Sequence, residues 1–233
     1  MTNMNEKKLN LKQNIDFIRI LIYAAIVGLV AGTIGTLFTV CVNSVINLRI
    51  QYPWLIYLLP LGGVIIVLLY QLAKYKDAGT DLVINSIHSE PHLPVRVGPL
   101  IFVSSVITHL FGGSAGREGA ALQIGGSVGS FVSKALRLKE DDKKTLIMAG
   151  MSGCFSALFG TPLTAAIFPL EVVHVGYMQD AALLPCAIAS LIGHSVAIAL
   201  NLVEPMHHIG TVPNLDAMTA IAVIVLSLLA GLV

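Results

Sequence analysis

Residues 112–123 read GGSAGREGAALQ, and this stretch decides how the surrounding chain folds. Its glycines interrupt one apolar segment, residues 95–111, and a second apolar segment starts directly after them, at Glu118. Glycine suits a sharp turn because it lacks a Cβ and adopts backbone conformations that other residues avoid. We therefore predict that the turn ends one helix and opens the next, with Glu118 at the start of the second.

The composition of the chain indicates a lipid environment. The 233 residues are 55% hydrophobic and only 12% charged, whereas soluble domains carry roughly a quarter charged residues. A net charge of +1 provides no basic field for nucleic acid, so we expect no nucleic-acid partner. Cys41, Cys154 and Cys186 lie in apolar stretches without metal-ligand spacing. We expect no metal, no cofactor and no enzymatic activity.

The apolar segments differ in length, and this difference is typical of a transporter. Residues 15–48 exceed the roughly 20 residues that a spanning helix needs, which predicts a strongly tilted helix. Residues 54–73 and 180–202 are long enough to span, whereas residues 79–88 are too short. Short, interrupted helices survive at membrane depth only where protein or water satisfies their backbone. We predict an all-α polytopic membrane protein with tilted and re-entrant helices.

The basic residues predict the orientation of the chain in a cell membrane that it crosses several times. Cytoplasmic loops carry an excess of lysine and arginine. The N-terminal lysines, the pair Lys74 and Lys76, and the charged loop at residues 134–144 should therefore be cytoplasmic. The turn at residues 49–53 carries one basic residue and should lie outside.

Glu118 is the candidate functional residue. Free backbone N–H groups at a helix start, together with the positive end of the helix dipole, attract anions. A charged carboxylate at this position can occupy such a site, and a protonated one can leave it open. The alternative is a structural role, in which Glu118 caps its helix or pairs with Arg117.

Two motifs of the chain resemble those of the CLC chloride channels and anion/proton antiporters. GREG at residues 116–119, followed by the small residue Ala120, is similar to the family signature GREGP. FGTPLTAA at residues 159–166, continuing to Glu171, is similar to the family segment NAPLAG and its glutamate pair. The resemblance covers nearly the whole chain, as a first repeat and the start of a second. It implies a homodimer of inverted-repeat subunits, each with its own anion pathway.

The resemblance also implies the residues of the site. Glu118 matches the external gating glutamate, which carries the proton, and residues 79–83 occupy the place of the anion-selectivity motif GSGIP. The residues then expected to bind the anion are Gly79, Thr80, Gly116, Arg117, Gly119 and Ala120.

The chain departs from the family pattern at three points. Thr80 replaces the selectivity serine, Ala120 replaces a proline, and Val172 replaces the inner proton-transfer glutamate of the chloride/proton antiporters. The fluoride/proton antiporters of the family also lack that glutamate and alter the GSGIP motif. The departures therefore favour fluoride export in exchange for protons. A passive chloride channel or chloride/proton antiporter is the first alternative, and a non-transporting fragment or accessory membrane protein is the second.

The resemblance divides the chain into three parts. We expect a cytoplasmic segment at residues 1–14, a first transmembrane repeat at residues 15–213 and the start of a second repeat at residues 214–233. Because the family's anion pathway draws on both repeats, we expect that the 233 residues alone do not transport.

Overall fold

The computed structural model shows helices as the only elements of the residues that it describes. The backbone is described for residues 2–74, 79–88, 93–173, 180–201 and 216–231, and side chains for residues 15–74, 79–87, 93–173, 181–201 and 216–231. A 3₁₀ turn, Pro53–Leu58, precedes the second α-helix. The α-helices are α1 (Thr2–Gln51), α2 (Leu59–Leu72), α3 (Asp81–His88), α4 (Val97–Leu110), α5 (Arg117–Ala135), α6 (Glu140–Phe159), α7 (Pro162–Val173), α8 (Asp180–Ala199) and α9 (Ala217–Gly231).

Helix α1 is longer than the apolar run that predicted it. It begins at Thr2, because the polar N-terminal residues are rich in the good helix formers Lys, Glu, Leu and Gln. Its apolar part, Ile15–Gln51, has 37 residues, which corresponds to about 55 Å at 1.5 Å per residue. A hydrocarbon core is about 30 Å thick. A helix of this length fits a membrane only if it is tilted or extends beyond the core.

The remaining helices fit a polytopic membrane protein. Within the described residues, three stretches are long and apolar enough to cross a membrane, judged by length and composition: Ile15–Gln51, Pro53–Leu72 and Ala181–Ala199. Three shorter apolar helices accompany them: Val97–Leu110, Pro162–Val173 and Ala217–Gly231. The expected boundary between residues 213 and 214 lies outside the described residues.

The charged loop expected at residues 134–144 is shorter than predicted. Helix α5 continues to Ala135, and α6 already begins at Glu140. Glu140, Asp141 and Asp142 all lie in the first turn of α6, where negative charge is favoured by the helix dipole. An ion pair between Lys143 and Glu140 adds to this turn. The acidic residues therefore start a helix where the sequence suggested a loop.

Helix α6 is the centre of the bundle, and it is buried from Leu146 to Leu158. Its backbone touches that of α5. A Cβ on Gly129 would lie 2.1 Å from the carbonyl oxygen of Leu146, and one on Gly125 would lie 2.3 Å from that of Gly150. Small residues permit such close helix contacts inside membranes, where van der Waals packing replaces the hydrophobic driving force.

One end of the bundle collects basic side chains. Arg19 of α1 lies 3.5 Å from Asp142 of α6, and Lys134 of α5 donates a 3.0 Å hydrogen bond to the carbonyl oxygen of Leu93. Lys74, at the end of α2, is exposed. The N-terminal part of α1 and the C-terminal ends of α2 and α5 thus define the end that the sequence predicts to be cytoplasmic.

The opposite end of the bundle holds the glycine-rich turn. Arg49, near the end of α1, lies against Gly112, since a Cβ there would be 3.2 Å from its Nη1 atom. Helix α4 ends at this side and α5 begins there. The turn and the start of α5 therefore lie at the end that the sequence predicts to be external.

Candidate anion site

The turn before α5 is held by backbone hydrogen bonds and by glycine geometry. Gly112 has a φ of +82°, a left-handed conformation that favours glycine. Its N–H donates to the carbonyl oxygen of His109 at 3.2 Å, and Gly113 N–H donates to that of Thr108 at 2.9 Å. These bonds close the end of α4 and direct the chain into α5.

Helix α5 starts with a residue that has no side chain to cap it. Gly116 is the N-cap, with an extended backbone (φ −66°, ψ 142°), and Arg117 is the first helical residue. The N–H groups of a first helical turn lack intrahelical acceptors. With the positive end of the helix dipole they form a site that suits an anion.

The carboxylate of Glu118 is turned back over the start of its own helix. A Cβ on Gly116 would lie 2.7 Å from the Oε2 atom of Glu118, so another residue there would require the carboxylate to shift. The Glu118 side chain is also exposed, which leaves it accessible to protons. The carboxyl group thus lies beside the start of α5, where the sequence analysis predicts an anion site.

Helix α3 brings a second helix start to the same place. Gly79 has a φ of +59°, and the carbonyl oxygen of Thr80 accepts the N–H groups of Val83 at 3.0 Å and Ile84 at 3.2 Å. The Oγ1 atom of Thr80 lies 3.0 Å from the position that a Cβ on Gly119 would occupy. Thr80 and Gly119, which belong to separate motifs, thus lie close together at the starts of α3 and α5.

Asp81 lies in the first turn of α3 and is exposed. A negative charge there is favoured by the dipole of its own helix.

Arg117 is tied to another helix. Its Nη2 atom donates a 3.1 Å hydrogen bond to the Oδ1 atom of Asn43 on α1, and both side chains are half-buried. This bond fixes the start of α5 against α1. The sequence analysis missed Asn43, although an amide inside a long apolar run is an available signal for a buried polar contact.

Ala120 and Val172 lie in apolar surroundings. Ala120 is 5% exposed and belongs to the hydrophobic core, so only its backbone could contact an anion. Val172 on α7 is half-buried and packs against the same core, whereas its neighbour Glu171 is exposed. Val172, which the resemblance places at the position of the inner glutamate, thus makes an apolar contact.

Comparison with known proteins identifies the family. The family model described as "Voltage gated chloride channel" matches residues 61–233. The chain belongs to this family. A solved structure described as a CLC-type fluoride/proton antiporter superposes with a TM-score of 0.81 and 31% identity, covering 92% of this chain and 55% of that one. A slow cyanobacterial chloride/proton antiporter, with a TM-score of 0.66 and 23% identity, shares the fold over 88% of this chain and 52% of that one.

Two curated relatives show the same relationship in sequence. The "Chloride/fluoride channel protein" of Pseudomonas syringae pv. tomato is 37% identical over 211 residues, covering 90% of this chain and 47% of that protein. The "H(+)/Cl(-) exchange transporter ClcA" of Citrobacter koseri is 29% identical over 233 residues, covering 92% of this chain and 49% of that protein. The chain therefore spans about half the length of the curated relatives that it matches, and the predicted CLC fold is confirmed for that half.

Proposed function

We propose that the chain supplies one half of the anion pathway of a CLC transporter that exports fluoride in exchange for protons. The observation that carries this proposal is the convergence of Thr80 and Gly119 beside Glu118. It combines a hydroxyl donor, a helix start and a titratable carboxylate in one place. The transporter is a non-enzymatic, multi-pass protein of the cell membrane, and it acts as a homodimer in the lipid bilayer.

The chemistry follows from competition for one site. A charged Glu118 is held by the start of α5 and excludes an external anion, because both are attracted by the same N–H groups and helix dipole. A protonated Glu118 loses this attraction and leaves the site to the anion. Each exchange of carboxylate for anion then requires a proton, which couples the two fluxes.

Three features support fluoride as the anion. The Thr80 hydroxyl is a hydrogen-bond donor, which a small, hard anion can use strongly. Val172 removes the inner titratable group that the resemblance assigns to chloride/proton exchange. The names of a solved structure and a curated relative that resemble this chain both include fluoride.

The test is flux from proteoliposomes that contain the protein at its native length. Fluoride and chloride efflux are recorded with ion-selective electrodes while internal pH is followed, for the native protein and for Glu118→Gln. We expect fluoride-selective efflux with proton uptake, and loss of the proton movement in the variant. Equal chloride flux would reject fluoride selectivity.

A passive anion channel is the second candidate. The apolar Val172 supports it, since the family's channels also lack the inner glutamate. In a channel, Glu118→Gln should change gating while anion flux remains uncoupled from protons. A proton flux in the native protein that depends on fluoride would exclude this candidate.

A further inference from the structure

An apolar groove lies between α1, α4 and α5, away from the anion site. Its volume is about 470 Å³, within the range of roughly 300–1,000 Å³ that is usual for small-molecule sites. Phe131 and Val103, on its rim, are 55% and 44% exposed. The groove is lined by residues that include Val30, Ile34, Val95, Phe102, Val128 and Phe131. In a membrane, such a surface is suited to an acyl chain.

Cationic side chains lie at the end of the groove that the sequence predicts to be cytoplasmic. Lys134 follows Phe131 by one helical turn, and its ammonium group donates to the carbonyl oxygen of Leu93 at 3.0 Å. This bond uses one of the three N–H groups of the ammonium. Arg96 directly follows the groove residue Val95 and is exposed, and its Nη1 atom donates a 3.4 Å hydrogen bond to the carbonyl oxygen of Ala73, which leaves its other N–H groups for a headgroup.

Within the described part of the chain, no ion pair joins a carboxylate to Lys134 or Arg96. Two of the three acids in the first turn of α6 face other cations. Asp142 lies beside Arg19, and Glu140 pairs with Lys143. The groove therefore combines an apolar surface at membrane depth with positive charge at its mouth.

We propose that this groove binds one anionic phospholipid of the cytoplasmic leaflet. An acyl chain occupies the groove, and the headgroup phosphate contacts Lys134 and Arg96. Basic pockets between transmembrane helices on the cytoplasmic side suit anionic headgroups, because the phosphate is attracted to cations at the membrane surface. This site goes beyond the proposed anion transport and does not depend on Glu118.

The proposal selects an anionic lipid over two other occupants. A zwitterionic lipid fills the groove equally well, but its headgroup brings no net charge to Lys134 and Arg96. An apolar helix from another part of the protein covers the groove but leaves both cations without a counter-charge.

Fluorescence quenching by brominated lipids tests the site in the protein at its native length. Trp54 is the single tryptophan of the 233 residues. Combining Trp54→Phe with Phe131→Trp therefore leaves these residues with one indole, which lies in the groove. Any tryptophan elsewhere in the protein is also replaced. The vesicles contain phosphatidylcholine with a small fraction of brominated phosphatidylglycerol or brominated phosphatidylcholine. We expect stronger quenching by phosphatidylglycerol, with the preference falling about fivefold for each cation removed by Lys134→Gln or Arg96→Gln.

Matched variants separate this site from general surface charge. Lys139→Gln removes an exposed cation from the start of α6 and should keep the preference, as should Lys134→Arg. Equal quenching by the two lipids, or a preference that survives Lys134→Gln together with Arg96→Gln, would overturn the proposal. Absence of quenching by either lipid would also overturn it, since protein would then cover the groove. Fluoride flux from the same vesicles shows separately whether the proposed transport holds.

Discussion

The hydroxyl oxygen of Thr80 lies 3.0 Å from the position that a Cβ on Gly119 would occupy. The starts of α3 and α5 meet at this contact, and Glu118 is the neighbour of Gly119. Because the space between the two residues fits no additional methyl group without a shift, this contact can be tested by adding one.

Gly119→Ala should change transport more than folding. The new methyl carbon would lie closer to the hydroxyl oxygen of Thr80 than ordinary van der Waals contact allows, so the hydroxyl must move away from the start of α5. We expect a several-fold fall in the initial rate of fluoride efflux from proteoliposomes. Gly63→Ala is the matched control, because a Cβ on this helical glycine meets nothing within 4 Å. Equal rates in the two variants would show that the Thr80 contact has no part in transport.

Thr80→Val should weaken anion binding, because it keeps the shape of the side chain and removes the hydroxyl donor. A hydrogen bond to a charged group contributes about 1.5–3 kcal/mol, so we expect anion affinity to fall at least tenfold. Isothermal titration of the detergent-solubilised protein with fluoride measures the change. Thr80→Ser retains the donor and should bind nearly as the native protein does. Unchanged affinity in Thr80→Val would remove Thr80 from the site.

Asn43→Leu should destabilise the protein by leaving the Arg117 guanidinium without this acceptor. The 3.1 Å bond joins α1 to the start of α5, and a hydrogen bond to a charged group contributes about 1.5–3 kcal/mol. We expect a lower temperature of thermal aggregation, measured by fluorescence-detected size-exclusion chromatography. The fluoride-to-chloride ratio should remain unchanged, since Asn43 lies outside the site. A changed ratio with native stability would give Asn43 a direct part in selectivity.

Gly129→Ala should be strongly destabilising. Its Cβ would lie 2.1 Å from the carbonyl oxygen of Leu146, which belongs to the backbone of α6. The helices must separate, and overpacking of this kind usually costs about 1–3 kcal/mol or more. The amount of monodisperse protein extracted from membranes should fall sharply, whereas Gly63→Ala should be extracted as the native protein is. Native yield and thermal stability in Gly129→Ala would contradict the close contact between α5 and α6.

Several features of the fold were predictable from local sequence. The glycine-rich turn at residues 112–116 predicted where α4 ends and α5 begins, because glycine both interrupts an apolar helix and permits a left-handed backbone. The start of α5 was expected at Glu118, and the structure begins it one residue earlier, at Arg117. The start of α6 was predicted less well, since the charge of Glu140, Asp141 and Asp142 suggested a loop.

By itself, the sequence determined which segments are apolar, which are too short to span, and which carboxylate stands at a helix start in an apolar region. These properties depend on neighbouring residues, so composition and spacing reveal them. Only the tertiary structure placed Thr80 beside Gly119, Arg117 against Asn43, and Lys134 against the carbonyl oxygen of Leu93. Such contacts join residues far apart in the chain, and they depend on how closely the helices pack. That packing depends on many small residues in several helices, so no local sequence pattern predicts it.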